Sequence, residues 1–412
     1  MQYVISKSDK TLKGEVTLPS SKSISNRVLI INSLSYSPYQ IDNLSDSDDT
    51  KVLETVLTSG TNYFDIGHAG TAMRFLTAFL SKIVGEWILT GSERMKQRPI
   101  GILVDALRKL GASVEYIEND GFPPIRIIGT ALKGGIIELD GSISSQYISA
   151  LLMIAPTIQG GITMKLLNHI TSKPYIELTL ELMNKFGVRH TWNGNEIRID
   201  EQEYVPVKFS VEADWSGASY WFAMAALSDD CDLLLKGLRL KSFQGDSVQA
   251  EWFRDYFGVR SEQVGTDVLL TKTDAPNIEL LKLDFIENPD IAQTIAVLAV
   301  CKKTPFHFKG LATLKIKETD RISALQTEMA KFGANLTEPR SGELFWDGTF
   351  DIQLINEPII IETYHDHRMA LSFALAAMSY QTISISDPHV ITKSYPRYWV
   401  DLESVGFVVD KA

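Results

Sequence analysis

The stretch Leu18-Pro-Ser-Ser-Lys-Ser-Ile-Ser-Asn-Arg27 packs two cations and four hydroxyls into the start of a helix. Pro19 keeps the residue before it extended, and Ser20 or Ser21 caps the helix that follows. Ile24, Val28, Leu29, Ile31 and Leu34 then supply an apolar face at helical spacing. A helix N-terminus presents unpaired N–H groups and a partial positive charge. Lys22, Ser23 and Arg27 are thus added where an anion is already favoured, with Ser23 and Arg27, four apart, on one face. Alone, the segment reads more readily as a capped, solvated first turn.

Similar starts recur at Ala69-Gly-Thr-Ala, Ser144-Ser-Gln, Asp214-Trp-Ser-Gly-Ala-Ser, Pro289-Asp-Ile-Ala and His365-Asp-His-Arg. They run into bodies such as Phe222-Ala-Met-Ala-Ala-Leu and Ile295-Ala-Val-Leu-Ala-Val, apolar nearly all round and therefore buried. A second set of helices alternates with these. Each ends in a hydrophobic residue and a glycine: Gly60, Gly111, Gly187, Gly258, Gly333 and Gly406, spaced 51, 76, 71, 75 and 73 residues apart. One such glycine is an ordinary left-handed C-cap; six at near-constant spacing are a repeat. With short β-like runs such as Gly135-Ile-Ile-Glu-Leu and Ile359-Ile-Ile-Glu between them, the chain reads as α/β. Its unit is strand, buried helix, strand, surface helix, strands, three plus three, giving two similar domains. A structural helix needs one cap residue, whereas these buried starts carry several polar groups apiece. They are expected to face a shared anion-binding space, each adding about 0.3–1 kcal/mol of favourable potential.

The remaining cations stand at element ends. Gly67-His-Ala-Gly-Thr-Ala-Met-Arg74 sets two glycines just before a helix, where a ligand can approach the backbone closely. Arg94-Met-Lys-Gln-Arg-Pro99, Lys317-Glu-Thr-Asp-Arg321 and Lys393-Ser-Tyr-Pro-Arg397 add more. Lys317 and Arg321 are i,i+4 neighbours, and Glu318 reaches Arg321 at i,i+3. Lys22, Arg27, Arg98, Lys317, Arg321, Arg368 and Lys393, with Asp290 and Glu318 among them, suit chemistry between two phosphorylated acids with a carboxylate base and a carboxylate acid. Read by itself, Asp290 after Pro289 is also a candidate helix cap. His365-Asp-His367 is not read as a metal site, because i,i+2 histidines on a helix diverge. No dinucleotide fingerprint or Walker loop is present, and no cofactor is expected.

At 412 residues more than one domain is expected, and a net charge of −11 argues against nucleic acid. The first residues lack a basic-then-apolar leader, and no apolar run is long enough for a bilayer. Cys231 and Cys301, far apart beside apolar stretches, read as buried free thiols, so the expected location is the cytoplasm.

Seven of these segments, Leu18–Arg27, Ala69–Arg74, Arg94–Ile100, Ser144-Ser-Gln146, Ser172-Lys-Pro-Tyr175, Lys317–Arg321 and Asp366-His-Arg-Met369, resemble the enolpyruvyl transferases, on the branch whose acceptor is shikimate 3-phosphate. The resemblance extends over nearly the whole length. It implies a two-domain inside-out α/β barrel, or prism, of six βαβαββ units, with buried helix N-termini pointing into an interdomain cleft. Residues 1–17 with 213–412 then form a discontinuous phosphoenolpyruvate-side domain, and 18–212 an inserted shikimate 3-phosphate-side domain. The implied reaction moves the carboxyvinyl group of phosphoenolpyruvate to the 5-hydroxyl of shikimate 3-phosphate and releases phosphate. By resemblance, Lys22, Ser23, Arg27, Ser144, Ser145, Gln146, Ser172, Tyr175, Asp290, Thr313 and Lys317 hold shikimate 3-phosphate. Lys22, Gly70, Arg98, Gln146, Arg321, His367, Arg368 and Lys393 hold phosphoenolpyruvate. Asp290 resembles the base and Glu318 the proton donor, with Lys22 a rival for part of the proton traffic. The two substrates are the expected partners of a monomer, with no metal, nucleic acid or membrane.

Three residues depart from the family's pattern: His68 and Thr313 where Asn is usual, and Phe75 where Pro is common. Gly70 is typical of members sensitive to glyphosate, a phosphoenolpyruvate-site inhibitor. The sister enzymes that use UDP-N-acetylglucosamine carry Lys-Asn where this chain has Lys22-Ser23, and non-catalytic relatives usually lose the two carboxylates.

Overall fold

In the computed structural model, which describes residues 1–142, 144–354, 358–380 and 382–412, each of six buried helices packs with a parallel pair of strands. Four of these are simple strand–helix–strand crossovers. The helix Gly70–Lys82 joins Tyr63–Asp65 to Gly85–Thr90, and Ser145–Ile154 joins Lys133–Asp140 to Gln159–Leu167. The helix Ala292–Cys301 joins Leu281–Asp284 to Phe306–Lys309, and His367–Ala374 joins Ile360–Ile361 to Thr382–Ser386. In the other two pairs the partner strand is distant in sequence. Thr11–Thr17 pairs with Asp230–Lys236, which follows the helix Trp215–Leu227. Phe209–Ser210 pairs with Ile41–Asp42, which follows the helix Lys22–Leu34. Among the described residues, antiparallel strands extend five of the six sheets, and the Phe209–Ser210 sheet has only its parallel pair.

The chain divides into two compact units, Met1–Ser20 with Glu212–Ala412, and Ser21–Val211. Each has three of the sheets and a hydrophobic core of its own. The surface helices Asp48–Thr58, Gly101–Lys109, Lys173–Lys185, Gln249–Phe257, Arg321–Ala330 and Tyr398–Ser404 alternate with the buried ones. No helix among the described residues is long and apolar enough to cross a membrane.

Two local expectations fail. Five of the six repeat glycines adopt the left-handed backbone of a C-cap, with φ of 65–94°. Gly60 does not: the residue before it, Ser59, is extended at ψ 146°, whereas those before Gly111, Gly187 and Gly406 have ψ of 1–23°. Lys317 and Glu318 are not helical either. They precede Asp320, whose carboxylate caps a helix that begins only at Arg321. Both cysteines are free, but only Cys231 is fully buried.

A glycine that fails as a cap is an exposed linker, and a Cβ there meets nothing within 4 Å. Gly60→Ala is therefore expected to change stability by no more than about 0.5 kcal/mol in urea melts. At Gly129 a Cβ falls 1.6 Å from the Ile83 carbonyl oxygen, which is backbone and cannot swing aside. Gly129→Ala is expected to cost about 3 kcal/mol or more in the same measurement.

Candidate active site

In the Ser21–Val211 unit, Ser21 caps the first helix, its Oγ accepting from the Ile24 amide at 3.4 Å. The ammonium of Lys22, the first helical residue, lies 3.7 Å from the buried Asp49. Arg27 is 2% exposed. It donates to the Ser23 carbonyl at 2.8 Å, Thr179 Oγ1 at 2.7 Å, Ser149 Oγ at 3.2 Å and the Tyr175 carbonyl at 3.3 Å. Its guanidinium also sits 5.5 Å from the centre of the Phe75 ring. All of these hydrogen-bond acceptors are neutral, and burial pushes the group down to about 10. A cation desolvated against neutral oxygens gains from any anion that reaches it.

The helix Gly70–Lys82 starts without a side-chain cap. A Cβ on Gly70 would lie 2.5 Å from Arg98 Nη1 and 3.1 Å from Arg74 Nη1, so the missing methyl makes room for two guanidiniums. Arg74 is fixed on the Gly70 and Pro99 carbonyls at 3.0 and 3.2 Å. Arg98 Nε is buried without a partner among the described residues. His68 Nδ1 lies 2.9 Å from Ser92 Oγ. Ser144 caps the next buried helix, Ser145 is its first residue, and Gln146 donates to Thr71 Oγ1 at 3.2 Å. Ser172 is left-handed, φ 52°, just before the helix Lys173–Lys185.

The other unit holds the carboxylates. Asp290 lies in the one-turn Pro289–Ile291 segment, and its side chain is an ion-pair partner, not the cap read from sequence. Arg368 Nη2 approaches it at 2.9 Å, Arg321 Nη1 at 3.5 Å and Lys317 Nζ at 3.7 Å. Glu318 is held by Arg321 Nη2 at 2.9 Å and Lys393 Nζ at 2.6 Å. Arg321, 1% exposed, also forks onto Asp366 at 2.6 and 3.2 Å. Burial works against its charge, but Asp366 and Glu318 outweigh burial and hold the group above its ordinary range. Asp366 Oδ1 in turn accepts the Arg368 amide at 2.9 Å and caps the helix His367–Ala374. The buried His367 places Nδ1 3.6 Å from the same oxygen. Thr313 Oγ1 is buried without a partner among the described residues.

The structure thus gathers Asp290, Lys317, Glu318, Arg321, Arg368 and Lys393 into one network. Loss of the helical register at Lys317 does not matter, because Lys317 and Arg321 converge on Asp290 from a bend and a helix start. Three carboxylates escaped the sequence reading. Asp366 lay in the quoted Asp-His-Arg motif, and its spacing before a helix start was the available cap signal. Asp49 opens a surface helix and gave no hint of Lys22. Asp246 is reached only through the fold. It is 3% exposed, accepts from Ser216 Oγ at 2.5 Å and Asn288 at 3.2 Å, and is pushed up to about 6 by burial and by Asp290. Among the described residues, no cluster of three His, Cys, Asp or Glu side chains is arranged to hold a metal ion.

The family model described as EPSP synthase (3-phosphoshikimate 1-carboxyvinyltransferase) matches residues 6–59 and 53–402. A 3-phosphoshikimate 1-carboxyvinyltransferase of Bacteroides fragilis is 50% identical over 408 residues, covering 99% of this chain and 98% of its own. One from Vibrio cholerae is 39% identical over 417 residues, covering 94% and 96%. The solved EPSP synthase of Acinetobacter baumannii shares the fold at a TM-score of 0.78 and 20% identity, with each chain covered completely. The enolpyruvyl transferase NikO of Streptomyces tendae does so at 0.74 and 16%, covering 99% of this chain and 98% of its own. A full-length match at this identity, on a chain carrying the carboxylate–guanidinium network, places it in the EPSP synthase (3-phosphoshikimate 1-carboxyvinyltransferase) family.

Proposed function

We propose that the chain transfers the carboxyvinyl group of phosphoenolpyruvate to the 5-hydroxyl of shikimate 3-phosphate, releasing phosphate. Family membership supports this, and one observation carries it: Asp290 and Glu318 share Arg321, with Arg368, Lys317 and Lys393 around them. Two carboxylates served by cations on several sides suit a reaction that moves two protons beside two highly charged substrates. Lys22, Ser23, Arg27, Ser144, Ser145, Gln146, Ser172 and Tyr175, with Thr313 and Lys317, are the residues for shikimate 3-phosphate. Gly70, Arg98, Gln146, Arg321, His367, Arg368 and Lys393, with Lys22, are those for phosphoenolpyruvate. Planar guanidinium forks match its carboxylate and phosphate better than ammoniums do.

The chemistry runs in two stages. Glu318 gives a proton to the methylene carbon of phosphoenolpyruvate, so C2 becomes electrophilic. Asp290 takes the proton of the 5-hydroxyl as its oxygen bonds to C2. The tetrahedral adduct then loses a methyl proton back to Glu318 while the C2–O bond to phosphate breaks, and the proton that Asp290 took from the hydroxyl leaves with the phosphate. Arg321 and Lys393 hold both Glu318 and the incoming anion, so substrate arrival draws cations off the carboxylate as it is needed to carry a proton.

Asp290→Asn and Glu318→Gln are each expected to lower kcat by about 10²-fold or more while the chain stays folded, read as phosphate release from the two substrates. Gly70→Ala should move the flexible Arg98 head and not the backbone. It is expected to raise KM for phosphoenolpyruvate by about tenfold and leave the melting temperature unchanged. Asp246 gives a pH signature. Its folded value of about 6 exceeds its ordinary 3.8, so between those limits the native state binds more protons than the unfolded one. Stability then falls as pH rises from about 4 to 6 and stays level above, by up to about 3 kcal/mol. Asp246→Asn is expected to flatten that fall in urea titrations across the window.

A further inference from the structure

We propose that Glu328 is a positioning residue for Arg321 and Arg368, acting through the turn Thr363–Asp366; the functional half of this rests on the reaction assigned above. The turn closes with the Asp366 amide on the Thr363 carbonyl at 2.8 Å. Its two central residues, Tyr364 and His365, have φ of 52° and 54°. Those are the φ signs of a type I′ turn, which favours Gly, Asn and Asp, and a tyrosine in particular is an uncommon occupant.

What holds the turn is Glu328, whose side chain is fully buried. Its Oε1 accepts from the Tyr364 hydroxyl at 2.7 Å, and its Oε2 from the Glu362 amide at 3.1 Å. Lys331 neutralises it at 2.7 Å and donates to the Ile360 carbonyl at 2.7 Å. Charge compensation alone would need only Lys331; the two remaining bonds go to the strained segment. Glu328 and Arg321 lie seven residues apart on one helix, about 10 Å along its axis. That helix therefore grips the segment 360–366 twice, through Glu328 at Tyr364 and Glu362 and through Arg321 at Asp366. Asp366 in turn caps the helix that carries Arg368. Releasing the first grip frees the turn, and with it the carboxylate that forks onto the Arg321 guanidinium and fixes the start of the helix carrying Arg368.

The test uses the full chain with Glu328→Leu, Tyr364→Phe and Glu328→Gln. Leu removes all three bonds and Phe only the hydroxyl. Gln retains the bridge, its carbonyl accepting the Glu362 amide and its NH2 donating to the Tyr364 oxygen. Expected are rises in KM for phosphoenolpyruvate of about 30-fold for Leu and about fivefold for Phe, with kcat within about threefold. Gln should stay within about threefold of wild type throughout, and the dissociation constant of shikimate 3-phosphate, by calorimetry, should be unchanged in all three. An unchanged KM in folded Glu328→Leu overturns the proposal. So do KM, kcat and shikimate 3-phosphate affinity moving together with a lowered melting temperature, the mark of a merely structural residue. Wild-type protein releasing no phosphate would refute the reaction instead. The positioning claim is then decided by the crystal structure of Glu328→Leu. Loss of the left-handed turn and of the Arg321–Asp366 fork supports it, and their retention overturns it.

Discussion

The buried fork between Arg321 and Asp366 is the constraint on which the carboxylate–guanidinium network depends. Taking a guanidinium out of water costs several kcal/mol, and a partner removed from such a pair leaves an uncompensated charge. Here Asp366 meets Arg321 through both oxygens and uses one of them again to cap the helix of Arg368. One carboxylate therefore holds one cation directly and fixes the helix start that carries the second. Arg321 Nη2 also donates to Glu318, and its one remaining nitrogen, Nη1, lies 3.5 Å from Asp290. A pair of this kind is weak evidence for stability but strong evidence for preorganisation, because every member fixes the next.

The Ser21–Val211 unit treats a buried guanidinium in the opposite way. Arg27 is met by hydroxyls and carbonyls and by the face of Phe75, with no carboxylate in contact among the described residues. Burial lowers its affinity for its own proton, and no protein anion must be displaced before a ligand anion binds. Arg321 is held firmly charged, but its carboxylates compete with any substrate for it. The two arrangements differ physically. An uncontested cation is open to an incoming anion, whereas a contested one is coupled to carboxylates whose proton affinity it lowers. The Phe75 departure also acquires a reason, since a proline there would offer no ring to the Arg27 guanidinium.

Much of the fold was legible because its signals are local. All-apolar bodies such as Phe222–Leu227 and Ile295–Val300 mark buried helices, and a glycine after a hydrophobic residue marks a helix end. Gly60 shows the limit, since a helix can leave through an extended residue, here Ser59, and put its glycine in a linker. The cation list was legible from motifs and resemblance, but its wiring was not. The pattern Lys317–Arg321 reads as a helical ladder, yet a capping Asp320 starts the helix at Arg321, so geometry that looked regular comes from a bend. Asp246 and Asp49 were invisible for a different reason. Their importance lies in what is packed against them from more than 25 residues away, and neither residue's neighbours in sequence announce it.

The repeat also explains how one unit sits within the sequence of the other. Thr11–Thr17 and Asp230–Lys236 stay in parallel register over seven residue pairs although a whole unit intervenes. The point of departure is pinned by a Ser20–Ala213 bridge and by the Asp214 amide on the Pro19 carbonyl at 2.9 Å. The inserted unit closes its own ends, with Phe209–Ser210 beside Ile41–Asp42 and Asn43 donating to the Val211 carbonyl at 2.7 Å. Closing a longer loop costs only logarithmically more, and a segment that brings its own core offsets its ordering without help from the host. The break therefore falls where a repeat can tolerate it, between a strand and its helix. On either side of it stand a Lys22 start and an Asp214-capped start, each belonging to a different core.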